Sequence, residues 1–244
     1  MDKRLPEQKD KTAQKARQRT VRSYVLRAGR VTEGQKRALE ELWPVYGVES
    51  AHQPLDLEAQ FGNSQPVIME IGFGNGDATW QMAKASPDRN YLGVEVHKPG
   101  VGSLLLKLEE NGLENVRIAS EDAVEFLAER IPDGSLDGIC IYFPDPWPKK
   151  RHHKRRIIQP PFVALMARKI AAGGLLHLAT DWEPYAEFML EVMHAAPDFE
   201  NLSPSGDVCP KPEWRPPTKY EKRGQRLGHR VSDLVFRRSD RGVQ

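Results

Sequence analysis

The sequence predicts an α/β, Rossmann-like fold: a mostly parallel sheet with helices on both faces and an antiparallel late strand. Three observations lead there. Strand-like apolar runs and helix-like segments alternate five times between Val67 and His194. The runs are short and largely apolar, as strands covered on both faces are. A glycine-rich turn, Gly72-Phe-Gly74-Asn-Gly76, directly follows the first of them.

Taken in order, residues 34–43 have the spacing of a short amphipathic helix, with Ala38, Leu39 and Leu42 on one side. Val67–Ile71 is the first strand, and residues 77–84 are helix-like beyond the glycine turn. A second strand over residues 91–96 leads into a helix over 98–110. Val116–Ala119 is the third strand, with a helix over 123–130. Residues 136–143 form the fourth, and residues 161–171 the next helix. Gly173-Gly174 stops that helix, residues 175–179 form the fifth strand, and Glu183–His194 is helical. Residues 204–217 carry five prolines and read as a loop, while Ser232–Arg238 alternates like a late strand at the sheet edge. This pattern predicts one domain over residues 21–244 with an N-terminal helical addition. Residues 1–20 read as a basic tail without stable structure, being almost free of large apolar residues.

The formal net charge of this 244-residue chain is only +2, but its charge is segregated. Residues 1–30 hold ten Lys or Arg against three acids, and residues 211–238 hold nine against three. Between them, residues 149–156 read Lys-Lys-Arg-His-His-Lys-Arg-Arg. A near-neutral body with three basic segments predicts a polyanionic partner gripped at particular places. No run of eighteen apolar residues exists, which excludes a helical membrane span, and the basic N-terminus lacks the apolar stretch of a secretory signal. Two cysteines, Cys140 and Cys209, fit a reduced, cytoplasmic protein.

In an open parallel sheet the ligand lies beyond the carboxyl ends of the strands. The first four strands end at or just before Glu70, Glu95, Asp122 and Asp145, and Asp181 follows the fifth. Like charges gathered on one rim repel, so a ligand rich in donors and positive charge is expected there. The turn is G-x-G-x-G, whereas the dinucleotide fingerprint would place a glycine at Asp77. Acids before and after the turn would repel a pyrophosphate and suit a cationic ligand with an amino-acid end, such as S-adenosylmethionine. Glu95 is placed to accept ribose hydroxyls and Asp122 an adenine amino group. In this order the features point to a class I methyltransferase, a resemblance that implies a seven-stranded, mostly parallel sheet. Prolines around Asp145 in Phe143-Pro-Asp-Pro-Trp-Pro-Lys-Lys150 hold its carboxylate on the rim. Trp147 could stack on a base, and the basic run beyond it could hold phosphates.

The chain resembles the bacterial tRNA (guanine-N7)-methyltransferases of the TrmB type over roughly residues 20–238. The resemblance is carried by Arg22-Ser-Tyr-Val, Arg27-Ala-Gly-Arg30, Leu42-Trp-Pro-Val-Tyr-Gly47, Glu70 to Gly76, Gly93-Val-Glu-Val-His97, Asp137 to Lys150, Thr180-Asp181 and Thr218-Lys-Tyr-Glu221. The Pro-Asp-Pro-Trp-Pro-Lys-Lys run is its most specific element. The resemblance implies a cofactor site of Glu70, Gly72, Gly74, Gly76, Glu95, Asp122 and Asp145, with Asp145 also the candidate catalytic residue. It implies substrate binding by Lys149, Asp181, Thr218, Lys219, Tyr220 and Glu221, and RNA contact by Arg151, His152, His153, Lys154, Arg155 and Arg156. The implied substrate is tRNA, at guanine 46 of the variable loop, with a monomer or homodimer acting without an obligate partner protein.

Guanine N7 carries a lone pair and no proton, so its methylation needs positioning and charge stabilisation rather than a general base. Two rival readings are a methyltransferase acting on an exocyclic amine such as adenine N6, and a non-catalytic tRNA-binding subunit. Against the first, the second proline of its D/N-P-P-aromatic motif is absent and a basic run follows. Against the second, the glycine loop and strand-end acids are all present. His152 and His153 lack zinc-type spacing with Cys140 or Cys209 and sit among cations, so no metal is expected.

Overall fold

The computed structural model describes residues 22–24, 29–50, 53–218, 221, 224, 226, 228 and 230–240. The proposed tail over residues 1–20, and Lys219 and Tyr220, lie outside these.

Seven strands form one sheet in the order β3-β2-β1-β4-β5-β7-β6. They are β1 Val67–Ile71, β2 Asn90–Val94, β3 Val116–Ala119, β4 Leu136–Tyr142, β5 Ile170–Thr180, β6 Phe199–Asn201 and β7 Ser232–Arg238. The first five are mutually parallel, and β7 runs antiparallel between β5 and β6. The helices are α1 Glu33–Glu41, α2 Trp43–Tyr46, α3 Leu57–Phe61, α4 Asp77–Ala85, α5 Lys98–Asn111, α6 Ala123–Glu129, α7 Pro160–Lys169 and α8 Glu183–His194. A 3₁₀ helix, Lys150–Arg155, follows β4.

The two faces of the sheet bury separate apolar cores. Phe126, Phe162, Met166, Tyr185 and Met189 of α6, α7 and α8 pack on one face with Met69, Ile139 and Leu178. On the other, Ala78 and Met82 of α4 and Leu104, Leu105 and Leu108 of α5 pack with Tyr91, Cys140 and Tyr142. Helix α1, opened by a Thr32/Gln35 capping box, lies outside α5.

Two sequence expectations are corrected here, and one helix is new. Strand β7 is not at the edge, because the three-residue β6 pairs with its outer side. Helix α7 stops at Lys169, and β5 already begins at Ile170, with Gly173 at φ 80° inside it instead of ending a helix. Helix α3 had no sequence forecast, being only five residues long.

The order of strands reverses between β1 and β4: β2 and β3 are laid down on one side, β4 and β5 on the other. Such a reversal leaves a crevice beyond the strand ends. It is there that the loop after β1 and the loop after β4 meet.

Candidate active site

A cleft of about 530 Å³ opens at this switch point, lined by Gly72, Gly74, Glu95, His97, Glu121 and Asp145 among others. Its floor is the glycine turn, whose Gly72, Gly74 and Gly76 have φ of 72°, 58° and 75°. Those values suit glycine and strain other residues, which is why the turn needs them. Gly72 faces open space, where a ligand has room. Gly76 does not: a side chain there would strike Leu104 at 2.6 Å, so its glycine serves packing against α5 rather than the ligand wall.

Glu95 fixes the turn. Its Oε2 accepts from Gly74 N at 3.0 Å, and its Oε1 accepts from Val96 N and His97 N. Glu70 is 3 % exposed at the end of β1 and accepts from Thr79 Oγ1 at 2.6 Å. Among the described residues it has no cationic partner, and burial pushes its carboxyl up to about 7, against the opposing pull of the Thr79 hydrogen bond. Glu70 and Thr218 line a small cavity that shares Gly72, Asn75, Tyr142 and Phe143 with the main cleft. Asp122 caps α6 by accepting from Val124 N and Glu125 N; its neighbours Glu121 and Ala123 line the cleft, while it borders an adjoining pocket.

Asp145 is exposed on the cleft wall. The turn that carries it has positive φ at two non-glycine residues, Phe143 at 53° and Trp147 at 45°. Each such residue costs on the order of 1–3 kcal/mol and persists only where its surroundings enforce it. Here the enforcement is visible. Trp147 Nε1 donates to Ser23 O at 3.0 Å, and the Arg155 guanidinium lies 3.9 Å from the centre of its ring. Arg155 in turn donates to Arg22 O and Tyr24 O. Residues 22–24 are thereby strapped across the cleft, which Ser23 and Tyr24 help to line.

The basic run divides. Lys149, Arg151 and Lys154 are exposed; His152 and His153 are half-buried. Arg156 is 4 % exposed, donates to Pro146 O and lies over the rings of Tyr185 and Phe188. That inward course corrects its expected contact with RNA. Trp147 is half-buried, with Arg155 over its ring and its N–H donated to Ser23 O. Asp181 sits half-buried just beyond β5, against Gly224. Glu221 is 3 % exposed and spends its carboxylate on Arg215 and Lys211, which leaves it a structural pairing rather than an open substrate contact.

With this geometry the comparisons are decisive. The family described as "Putative methyltransferase" matches residues 64–234. A tRNA (guanine-N(7)-)-methyltransferase of Aeromonas hydrophila is 56% identical over 220 residues, which is 90% of this chain and 93% of that one. One from Pseudomonas aeruginosa is 56% identical over 222 residues, 91% of each chain. The chain belongs to the bacterial tRNA (guanine-N7)-methyltransferase family. Among solved structures, the SAM-bound 16S rRNA (adenine(1408)-N(1))-methyltransferase mutant of Catenulisporales acidiphilia has a TM-score of 0.52 at 16% identity, covering 79% of this chain and 95% of that one. The 16S rRNA methyltransferase KamB gives 0.52 at 15%, covering 80% and 98%. At that identity the likeness is one of fold: the class I methyltransferase sheet.

Within this family frame, sequence reasoning had missed a buried polar network behind the site. Arg215, 1 % exposed, binds Asp233 through Nε and Nη2 at 2.6 and 2.9 Å, and Glu221 through Nη1 at 2.9 Å. His177 Nε2 lies 2.8 Å from Asp233 Oδ1. A signal existed: Asp233 directly precedes the apolar run Leu234-Val-Phe236 of its strand, and a buried carboxylate demands a partner. Ser23 and Tyr24 were also missed as cleft residues, although both lie inside one of the quoted motifs. Among the described residues no helix is long and apolar enough to cross a membrane, and no group of three metal-type ligands occurs.

Proposed function

We propose that this chain transfers the methyl group of S-adenosylmethionine to N7 of a guanine in tRNA, guanine 46 of the variable loop being the expected target. The observation that carries the reading is the acid-rimmed cleft at the strand switch point, walled by the strained Asp145 turn and flanked by exposed cations. Its donor set fits the methyl donor. A buried Glu70 without a cationic partner among the described residues suits an ammonium group, Glu95 suits a ribose diol, and the backbone at Glu121 to Ala123, with Asp122 behind it, suits an adenine edge. When bound, S-adenosylmethionine supplies an electrophilic methyl on a positively charged sulfur.

The chain's own residues then have limited work. N7 has no proton to lose, so Asp145 orients the base by accepting from guanine N1–H and N2–H₂ and balances the positive charge the purine acquires. Adenine lacks those donors, which gives selection for guanine. The strained turn holds Asp145 in place before the base arrives, so little ordering remains to be done. Asp181 and Thr218 flank the same rim as substrate contacts. Lys149, Arg151 and Lys154 hold phosphates, and that contact is sequence-independent and weakened by salt. Residues 21–244 act as one domain, in the cytoplasm, as a monomer or homodimer.

The test is methyl transfer to an unmodified tRNA transcript, with the labelled nucleoside identified after digestion. The expected product is 7-methylguanosine, and Asp145→Ala should reduce turnover by about 100-fold or more. Label in N6-methyladenosine would favour the exocyclic-amine chemistry and overturn this reading. Full turnover in Asp145→Ala with none in Asp181→Ala would transfer the central role to Asp181.

A further inference from the structure

We propose that Trp214 is a stacking platform for an unpaired base of the tRNA, beside the methylation site. The proposal rests on the reading that tRNA is the substrate. Three large apolar side chains stand exposed among the described residues: Val45, Val124 and Trp214, the last 52 % exposed. Trp214 alone has a fixed end and an accessible body. Its Nε1 donates to His177 Nδ1 at 3.3 Å, the two rings meeting edge-on at 79°.

The anchor is shared. An indole nitrogen only donates, so His177 Nδ1 must accept; the Tyr142 hydroxyl lies 3.1 Å from the same nitrogen, and the imidazole proton belongs on Nε2, facing Asp233 Oδ1. Burial disfavours the charged imidazole, which keeps that arrangement. The next residue, Arg215, is locked to the same Asp233 and to Glu221. Indole and backbone are therefore tied to β5 and β7 at once. A ring so held loses little freedom on stacking, the property that makes aromatic side chains effective platforms for single-stranded bases.

The charge of the segment that carries Trp214 favours a polyanion. Residues 211–238 hold nine Lys or Arg and three acids. Two of those acids, Glu221 and Asp233, are neutralised inside by Arg215 and Lys211, and Arg238 pairs with Asp198, so the sequence of this segment retains six further Lys or Arg against Glu213. Four residues beyond Trp214, Thr218 lines the small cavity with Glu70. Trp147, the other aromatic near the basic run, is already covered by Arg155 and held by Ser23 O.

The experiment compares the full chain with Trp214→Ala and Trp214→Phe on an unmodified tRNA transcript, reading tRNA Kd, KM and kcat together with S-adenosylmethionine affinity. Trp214→Ala should raise Kd and KM for tRNA roughly 5- to 100-fold. It should leave kcat at saturating tRNA and cofactor affinity within about 2-fold, and Trp214→Phe, which keeps a stacking face but lacks the Nε1 anchor, should restore part of the loss. Unchanged Kd and KM in Trp214→Ala would overturn the proposal. So would a loss confined to cofactor affinity, which marks a packing role. Failure of the unaltered chain to bind or methylate tRNA would strike the substrate reading itself, and the proposal with it.

Discussion

Replacing Glu70 by glutamine tests the electrostatics of the cleft most sharply. Burial moves its carboxyl from 4.5 to about 7 in the folded chain. A shift of that size corresponds to about 3 kcal/mol. The folded state prefers the protonated form, so the stabilisation is fully present below about pH 4.5 and is lost as pH rises through about 7. Glutamine mimics the neutral acid and can still accept from Thr79. Urea unfolding should therefore show Glu70→Gln more stable than the parent chain by about 3 kcal/mol at pH 8 and by under about 1 kcal/mol at pH 5. Calorimetry should show the opposite effect on ligand binding. A cation beside Glu70 favours its ionised form, so S-adenosylmethionine should bind the parent chain more tightly at pH 8 than at pH 6, with proton release near pH 7. The variant should bind more weakly and without that release. Parallel stability curves across this range, or pH-independent binding by the parent, would refute the reasoning.

Other expectations concern the supports of the site. Arg215→Met leaves Asp233 and Glu221 buried without their shared cation, and urea denaturation should show a loss of about 3–5 kcal/mol. Gly100→Ala drives a methyl group into the Gly74 carbonyl oxygen, so cofactor Kd measured by calorimetry should rise about tenfold or more although residue 100 lies outside the cleft lining. Burial pushes the Cys140 thiol up to about 12, so alkylation of the native chain at pH 8 should label the half-exposed Cys209 and spare Cys140, as peptide mapping would show.

The strands were legible because a doubly covered sheet leaves each of them as an apolar run, and Val67–Ile71, Val116–Ala119 and Ser232–Arg238 have their forecast ends. What failed was short or indirect. Phe199–Asn201 has three residues, too few for any period, and its absence from the forecast put β7 at the edge. Gly173-Gly174 carries a stop signal, but pairing with β4 on both sides of it, at Ile170 and at Leu175, carries the strand through. The strand-end acids were readable because topology alone delivers them to one rim. The fates of Gly76, Trp147 and Arg156 were not, since each is set by a partner distant in sequence: Leu104, Ser23 and Tyr185. Charge runs announce a basic surface without saying which guanidinium turns inward.

On the function proposed above, the rim built by Glu70, Glu95 and Asp145 directs a methyl group to guanine N7 in tRNA. The most direct test is to incubate an unmodified tRNA transcript with the chain and S-adenosylmethionine, treat the RNA with borohydride and aniline, and map the cleavage. The account predicts one new break, at guanine 46 in the variable loop, lost in Asp145→Ala. Methyl incorporation without any aniline-sensitive guanine would contradict it.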